Sequence, residues 1–110
     1  MYNRGELVMI PVPYTDLSAT KKRPVLVISN NKYNAKSQDM IVAAVTSNVF
    51  QQGIAITNAA MEQGQLPKPS IIRSDKIYTL NQGIVAKRIG CVKAEIMDAV
   101  QASVIRHISD

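Results

Sequence analysis

Lys21-Lys22-Arg23-Pro24-Val25-Leu26-Val27-Ile28-Ser29 sets three cations and a proline against a run of β-branched and aliphatic residues. Such residues fit a pleated, half-buried surface and helix formers are few, so Pro24–Ser29 reads as a buried strand. Proline inside a sheet belongs at the first residue of a strand or on an edge, which makes Pro24 the start. Arg23 then stands at the end of a rigid element, where its side chain is aimed. A second apolar run, Met40–Thr46, leads into Ser47 and Asn48. One strand that begins with an arginine and another that ends in hydroxyls bring both groups to one edge of a sheet. That edge suits the binding and cutting of a phosphodiester.

Outward from these two strands, Glu6–Ile10 reads as a first strand stopped by Pro11 and Pro13. Tyr14–Lys22 is polar and reads as a loop. Asn30-Asn31-Lys32-Tyr33-Asn34 is rich in turn formers and leads into a second exposed loop. Gly53–Ile56 reads as a fourth strand. Asn58–Pro69, with Gly64, Pro67 and Pro69, reads as irregular chain. Ser70–Ser74 is a fifth strand, and Gly83–Val92 holds another short one. From Lys93 the period changes: Ile96, Val100, Val104 and Ile108 recur every four residues, with Met97 and Ile105 beside them. This is an amphipathic helix with Glu95 near its start and Arg106 and His107 near its end, as the helix dipole favours. Many short strands and one closing helix predict a mainly β (α+β) fold. The expectation is a small, strongly curved sheet or barrel with a C-terminal helix packed against it.

The chain has 110 residues, 46% of them hydrophobic, which suits a single domain, 1–110, with one modest core. No apolar stretch approaches the roughly 20 residues that cross a bilayer. The N-terminus lacks the apolar core of a signal peptide. Cys91 is the single cysteine, so neither an internal disulfide nor a multi-cysteine zinc site is expected. The expectation is a cytoplasmic protein. The acids are scattered and no His/Cys/Asp cluster has ligand spacing, so neither metal nor other cofactor is expected. The net charge is +5, and Lys21, Lys22, Arg23, Lys32 and Lys36 crowd a region with no acid between Asp16 and Asp39. That distribution points to a polyanionic partner.

Arg4-Gly5-Glu6, Arg23–Ser29, Val45-Thr46-Ser47 and Ile72-Arg73-Ser74-Asp75, with Thr79 and the terminal helix after them, form an ordered set. Over Arg4 to His107 this set resembles the PemK/MazF toxins of bacterial type II toxin–antitoxin systems. The resemblance implies an SH3-like or plasmid-toxin-like barrel, usually a homodimer. It implies a metal-independent endoribonuclease, an mRNA interferase that cuts single-stranded RNA at specific sequences and leaves a 2′,3′-cyclic phosphate and a 5′-hydroxyl. It also implies a cognate antitoxin that covers the RNA groove.

Attack by the RNA's own 2′-hydroxyl requires a proton acceptor, a donor to the leaving 5′-oxygen, and positive charge at the crowded phosphate. Arginine suits the last role, because its fork of donors matches phosphate oxygens and stays charged. The resemblance makes Arg23 catalytic; its other reading is a strand-end cation paired with Asp16. Thr46 matches the family's hydroxyl residue and is either a positioning group or an ordinary strand threonine. Ser47 is a weaker neighbour. Arg73 and Asp75, two apart on a strand, share a face and can pair. In one branch of the family the matching Arg and Asp act as acid and base beside a first-loop histidine. This chain has none there, and its only histidine, His107, is expected to be structural or exposed.

Lys21, Lys22 and Lys76 are candidates for phosphate contacts. Tyr14, Tyr33, Phe50 and Tyr78 are the aromatic side chains available to stack unpaired bases; Phe50, in a loop just beyond Ser47, either stacks a base or, as is commoner for a lone Phe, packs in the core. Two other functions stay open at this point. One is a non-catalytic toxin of the same fold that acts on DNA gyrase through its terminal helix; the other is a basic nucleic-acid-binding module that does not cut.

Overall fold

A computed structural model describes residues 1–13 and 20–110. In chain order the elements are β1 (Glu6–Pro13), β2 (Thr20–Val27), α1 (Asn31–Lys36), β3 (Asp39–Thr46), β4 (Ile54–Ile56), β5 (Met61–Gly64), β6 (Ser70–Asn81), β7 (Lys87–Val92) and α2 (Ala94–Ile108). The strands form one antiparallel sheet in the order β4-β6-β3-β2-β1-β7-β5. It is curled into a half-barrel whose edge strands are β4 and β5.

Alternation along the strands gives the sheet two apolar faces. Leu7, Leu26, Ala43, Val45 and Ile72 point to one side and are packed with Met97 and Val100 of α2. Val8, Ile10, Val25, Val27, Met40 and Val42 point to the other side, where Leu80 and Val85 complete a second cluster. Gly5, at φ 96°, lets the chain turn into β1 in a conformation that suits only glycine, with Met97 of α2 close against it. In α2 the buried stripe is Met97, Val100 and Ser103, while Ile105 is half-exposed and Ile108 is 77% exposed. The four-residue period therefore finds the helix, but its last turn projects past the core.

β1 does not stop at Pro11 and Pro13; it runs through both. The Met9 carbonyl accepts from Ala86 on the β7 side, so by alternation the nitrogens of Pro11 and Pro13 also face that side. The β1/β7 ladder ends at Met9, so among the described residues no partner there requires the missing N–H groups. β2 begins at Thr20, not Pro24, and ends at Val27, not Ser29. Pro24 pairs with Met9 from inside the strand, at the point where the β2/β3 ladder, Val25–Val27, gives out. The expected loop Tyr14–Lys22 therefore ends in strand, and its residues 14–19 lie outside the described ones.

Three further expectations are corrected. Asn31–Lys36 is a short helix, because the Asn30 side chain caps it by accepting from Tyr33 N at 2.7 Å. Asn58–Pro69 contains a 3-10 turn and β5, which pairs with β7 through Met61, Gln63 and Gly64. The fifth strand of the sequence reading continues to Asn81 as β6, because β3 offers a full-length partner.

Candidate functional site

Register across β2, β3 and β6 builds the site. Val25 pairs with Ala44, and Ala44 pairs with Arg73, so the three stand side by side on one face. Arg23 is two residues before Val25 and Thr46 two after Ala44, so both share that face. Carried two steps past the ladder, the β2/β3 register sets Arg23 opposite Thr46. All three polar residues line one cleft of about 520 Å³, floored by Val25, Ala44 and Leu80 and walled by Ile10 and Val12. Lys76, Tyr78 and Gln51 line it as well.

Arg73 is held on three donors. Nε donates to Asp75 Oδ1 at 2.9 Å and Nη2 to Oδ2 at 2.8 Å. Nη1 donates to Gln51 Oε1 at 2.5 Å. A guanidinium has five N–H donors, so one on each terminal nitrogen is left for an incoming oxygen. The hydrogen bond to Asp75 raises the Arg73 pKa further above its ordinary value. In return, the hydrogen bond from Arg73 pulls the Asp75 carboxyl down to about 2, with smaller help from the charge of His107. Among the described residues of the cleft and its rim, three cations (Arg23, Arg73 and Lys76) stand against the one carboxylate of Asp75. The site is therefore built for anionic oxygen.

The loop beyond Thr46 is folded by its own side chains. Thr46 Oγ1 accepts from Asn48 N at 3.1 Å, and Asn48 Oδ1 accepts from Phe50 N at 3.1 Å. Gly53 closes the loop at φ 154°, where a Cβ would meet Ile72 O at 2.3 Å. Together these place Gln51 against Arg73 and leave Phe50 94% exposed beside the cleft.

Of the residues singled out by sequence, Arg23, Thr46, Arg73, Lys76 and Tyr78 come together in the cleft, with Asp75 at its rim. Lys22 does not join them. It sits on the opposite face of the β1–β2 hairpin, beside Met9, Lys87 and Arg88, as alternation with Arg23 requires. Lys21 and Ser47 are exposed and line no part of the cleft. Tyr33 lies elsewhere, beside Arg4 and α2. Tyr14, and the pairing of Arg23 with Asp16, fall outside the described residues.

His107 is exposed, as expected, but it is also docked: its Nδ1 lies 3.4 Å from Ser74 Oγ. Gln51 and this use of His107 carried no sequence signal beyond proximity to the loop and to the helix end. Among the described residues no three His, Cys, Asp or Glu side chains gather to hold a metal, and no helix is long and apolar enough to cross a membrane.

A curled antiparallel sheet with a cationic cleft across three adjacent strands defines a small basic β protein whose cleft suits a polyanion. The chain belongs to the PemK-like, MazF-like toxins of type II toxin–antitoxin systems, whose family model matches residues 3–108. It is 34% identical over 98 residues to the endoribonuclease MazF6 of Mycobacterium tuberculosis H37Rv, spanning 86% of this chain and 84% of that protein. The endoribonuclease MazF2 of Mycobacterium bovis matches to the same extent. The fold is shared with a solved MazE–MazF complex from Deinococcus radiodurans, at a TM-score of 0.76 and 18% identity over 98% of this chain and 97% of that one. It is also shared with a mycobacterial endoribonuclease in complex with its cognate antitoxin, at a TM-score of 0.74 and 19% identity over 96% and 93%.

Proposed function

We propose that the chain, acting as one domain over 1–110, is a metal-independent endoribonuclease toxin that cuts single-stranded RNA. The observation that carries this reading is the convergence of Arg23, Thr46 and Arg73 on one face of one cleft. The family and the names of its relatives support RNA as the substrate. The RNA 2′-oxygen attacks the adjacent phosphorus, and the bond from phosphorus to the 5′-oxygen breaks. The 2′-hydroxyl loses its proton and the leaving 5′-oxygen gains one, giving a 2′,3′-cyclic phosphate and a 5′-hydroxyl. Arg23 and the two open donors of Arg73 stabilise charge on the phosphoryl oxygens as it builds. Thr46 holds the phosphate or the 2′-hydroxyl in line.

Asp75 is assigned to holding Arg73. A carboxyl pulled to about 2 is a poor proton acceptor at neutral pH, so the acid–base role of the corresponding pair in one family branch does not transfer to it. Lys76 draws the phosphate chain in, and Tyr78 and Phe50 stack unpaired bases. Lys21, Lys22 and Ser47 contribute at most a long-range field or loop shape. The proposed partners are a cognate antitoxin, as in the solved relatives, and a second copy in a homodimer; the proposed location is the cytoplasm.

The test is cleavage of a long single-stranded RNA in EDTA, with both fragment ends mapped. Defined fragments with cyclic-phosphate and 5′-hydroxyl ends, lost in Arg23→Ala, are expected. Intact RNA at every substrate tried, or equal cutting by Arg23→Ala, overturns the reading.

A further inference from the structure

We propose that His107 is a positioning residue for the Arg73–Asp75 pair, acting from behind the cleft through the bulge of β6. The inference rests on the role given above to Arg73.

The bulge makes the connection. Ala44 pairs with Arg73 and Ala43 with Ile77, so Ser74, Asp75 and Lys76 have no partner on β3. The extruded residues take different sides. Lys76 enters the cleft, whereas Ser74 turns inward to α2 and is 2% exposed. Asp75 sits at the seam. Its carboxylate grips Arg73, yet it also borders a smaller cavity of about 290 Å³ behind the bulge, with Ser103, Arg106 and His107 of α2.

That rear cavity holds a hydrogen-bond chain. Ser74 Oγ lies 2.5 Å from Ser103 Oγ and 3.4 Å from His107 Nδ1. With Nδ1 protonated, the imidazole donates to Ser74, and Ser74 donates to Ser103. The charged groups that face the imidazole are Asp75 from β6 and Arg106 from its own helix; Gln52, Gly53 and Ile54 on the remaining wall bring no charge. His107 also acts electrostatically on Asp75.

The consequence for the cleft is a change of net charge. Arg73 with Asp75 is a neutral pair, whereas Arg73, Asp75 and a protonated His107 together carry one positive charge. The field felt by a phosphate on Arg73 is then larger. Histidine is the side-chain type that changes charge near neutral pH, so the chain has a pH-dependent element behind Arg73 and none among the described groups inside the cleft.

The experiment pairs a rate with a spectroscopic signature. Cleavage of one defined single-stranded RNA is followed from pH 5.5 to 8.5 for the parent, His107→Gln and His107→Lys. The His107 imidazole is titrated by NMR in the parent and in Asp75→Asn. Expected is a kcat for His107→Gln about three- to tenfold below the parent at pH 6 but equal to it at pH 8.5, with KM unchanged. His107→Lys holds the low-pH rate to pH 8.5, and the imidazole titrates at lower pH in Asp75→Asn. Identical pH–rate profiles for parent and His107→Gln, or a His107 titration indifferent to Asp75→Asn, overturn the proposal. If the parent cuts no RNA at all, the ribonuclease reading falls by itself, and the imidazole titration alone then decides whether His107 is coupled to Asp75.

Discussion

Arg73 grips both carboxylate oxygens of Asp75, at 2.9 Å and 2.8 Å, from a strand position where plain alternation would only set the two side by side. The geometry decides what Asp75 does. Its carboxyl is pulled from 3.8 to about 2, chiefly by the Arg73 hydrogen bond. A depressed carboxyl stabilises the fold above its unfolded pKa, and that contribution is lost as pH falls from about 3.8 towards 2. Asp75 is therefore ionised throughout the working range and sets no acid limb in a pH–rate profile. Asp75→Asn is expected to slow cleavage by roughly ten- to a hundredfold through a loosened Arg73, and above pH 4 to move only the limb that His107 sets, towards lower pH. An acid limb near pH 4 to 5 that disappears in Asp75→Asn makes Asp75 the proton acceptor instead.

Among the described residues Arg23 has no hydrogen-bonded carboxylate, in contrast to Arg73. Replacing it tests charge against geometry. Arg23→Ala is expected to lower kcat by about 10²- to 10³-fold, the usual effect of removing one preorganised transition-state donor. Arg23→Lys keeps the charge and loses the fork, so it recovers only part of that rate. Single-turnover cleavage at saturating protein separates these from binding. Full recovery by lysine means that Arg23 acts as a point charge.

The strands that form the cleft were legible because β-branched runs and hydroxyl ends are local signals, and alternation then assigns the faces of Arg23, Thr46 and Arg73. The same alternation shows why Lys22 stands apart from Arg23: once Lys21-Lys22-Arg23 is strand, adjacent residues point to opposite faces. The prolines misled for a different reason. A proline breaks a strand only where a neighbour needs its N–H, and which side of β1 or β2 is open depends on pairings far along the chain. Gln51 carried no local signal because it meets Arg73 across a loop, and the contact of His107 with Ser74 depends on a bulge that no local pattern announces.

Phe50 is 94% exposed, so core packing does not explain it. Stacking one unpaired base on it is worth about 1–3 kcal/mol, which is roughly a five- to 150-fold change in affinity. Phe50→Ala is expected to weaken binding of a single-stranded oligonucleotide within that range while leaving the thermal midpoint unchanged, since no buried area is lost. Fluorescence anisotropy in a fixed salt concentration measures the first and circular dichroism the second. Unchanged affinity shows that the loop does not touch the RNA.

The far end of the β3/β6 pair is held by Gln82, and its loss separates stability from chemistry. Gln82 Nε2 donates to the carbonyls of Asn34, Ser37 and Asp39 at 2.9, 3.0 and 3.1 Å, and its Oε1 accepts from Tyr2 N at 2.8 Å. Asn34, fully buried, continues the network by donating to the carbonyls of Tyr2 and Ser29. One amide thus ties the N-terminus, α1 and the start of β3 together. Gln82→Ala leaves several part-buried backbone groups without partners, which costs about 1–3 kcal/mol. For a domain of this size each kcal/mol lowers the thermal midpoint by roughly 4–8 °C. Asp39 pairs with Asn81 at this end, whereas Arg73 and Thr46 stand towards the other end of the ladder, where Ala44 pairs with Arg73 and Thr46 with Ile71. Cleavage by the folded Gln82→Ala protein at 25 °C is therefore expected to match the parent, with only the melting curve displaced. A rate lost in step with stability means that the two ends of the ladder are mechanically coupled, and that order in the cleft depends on the N-terminal clasp.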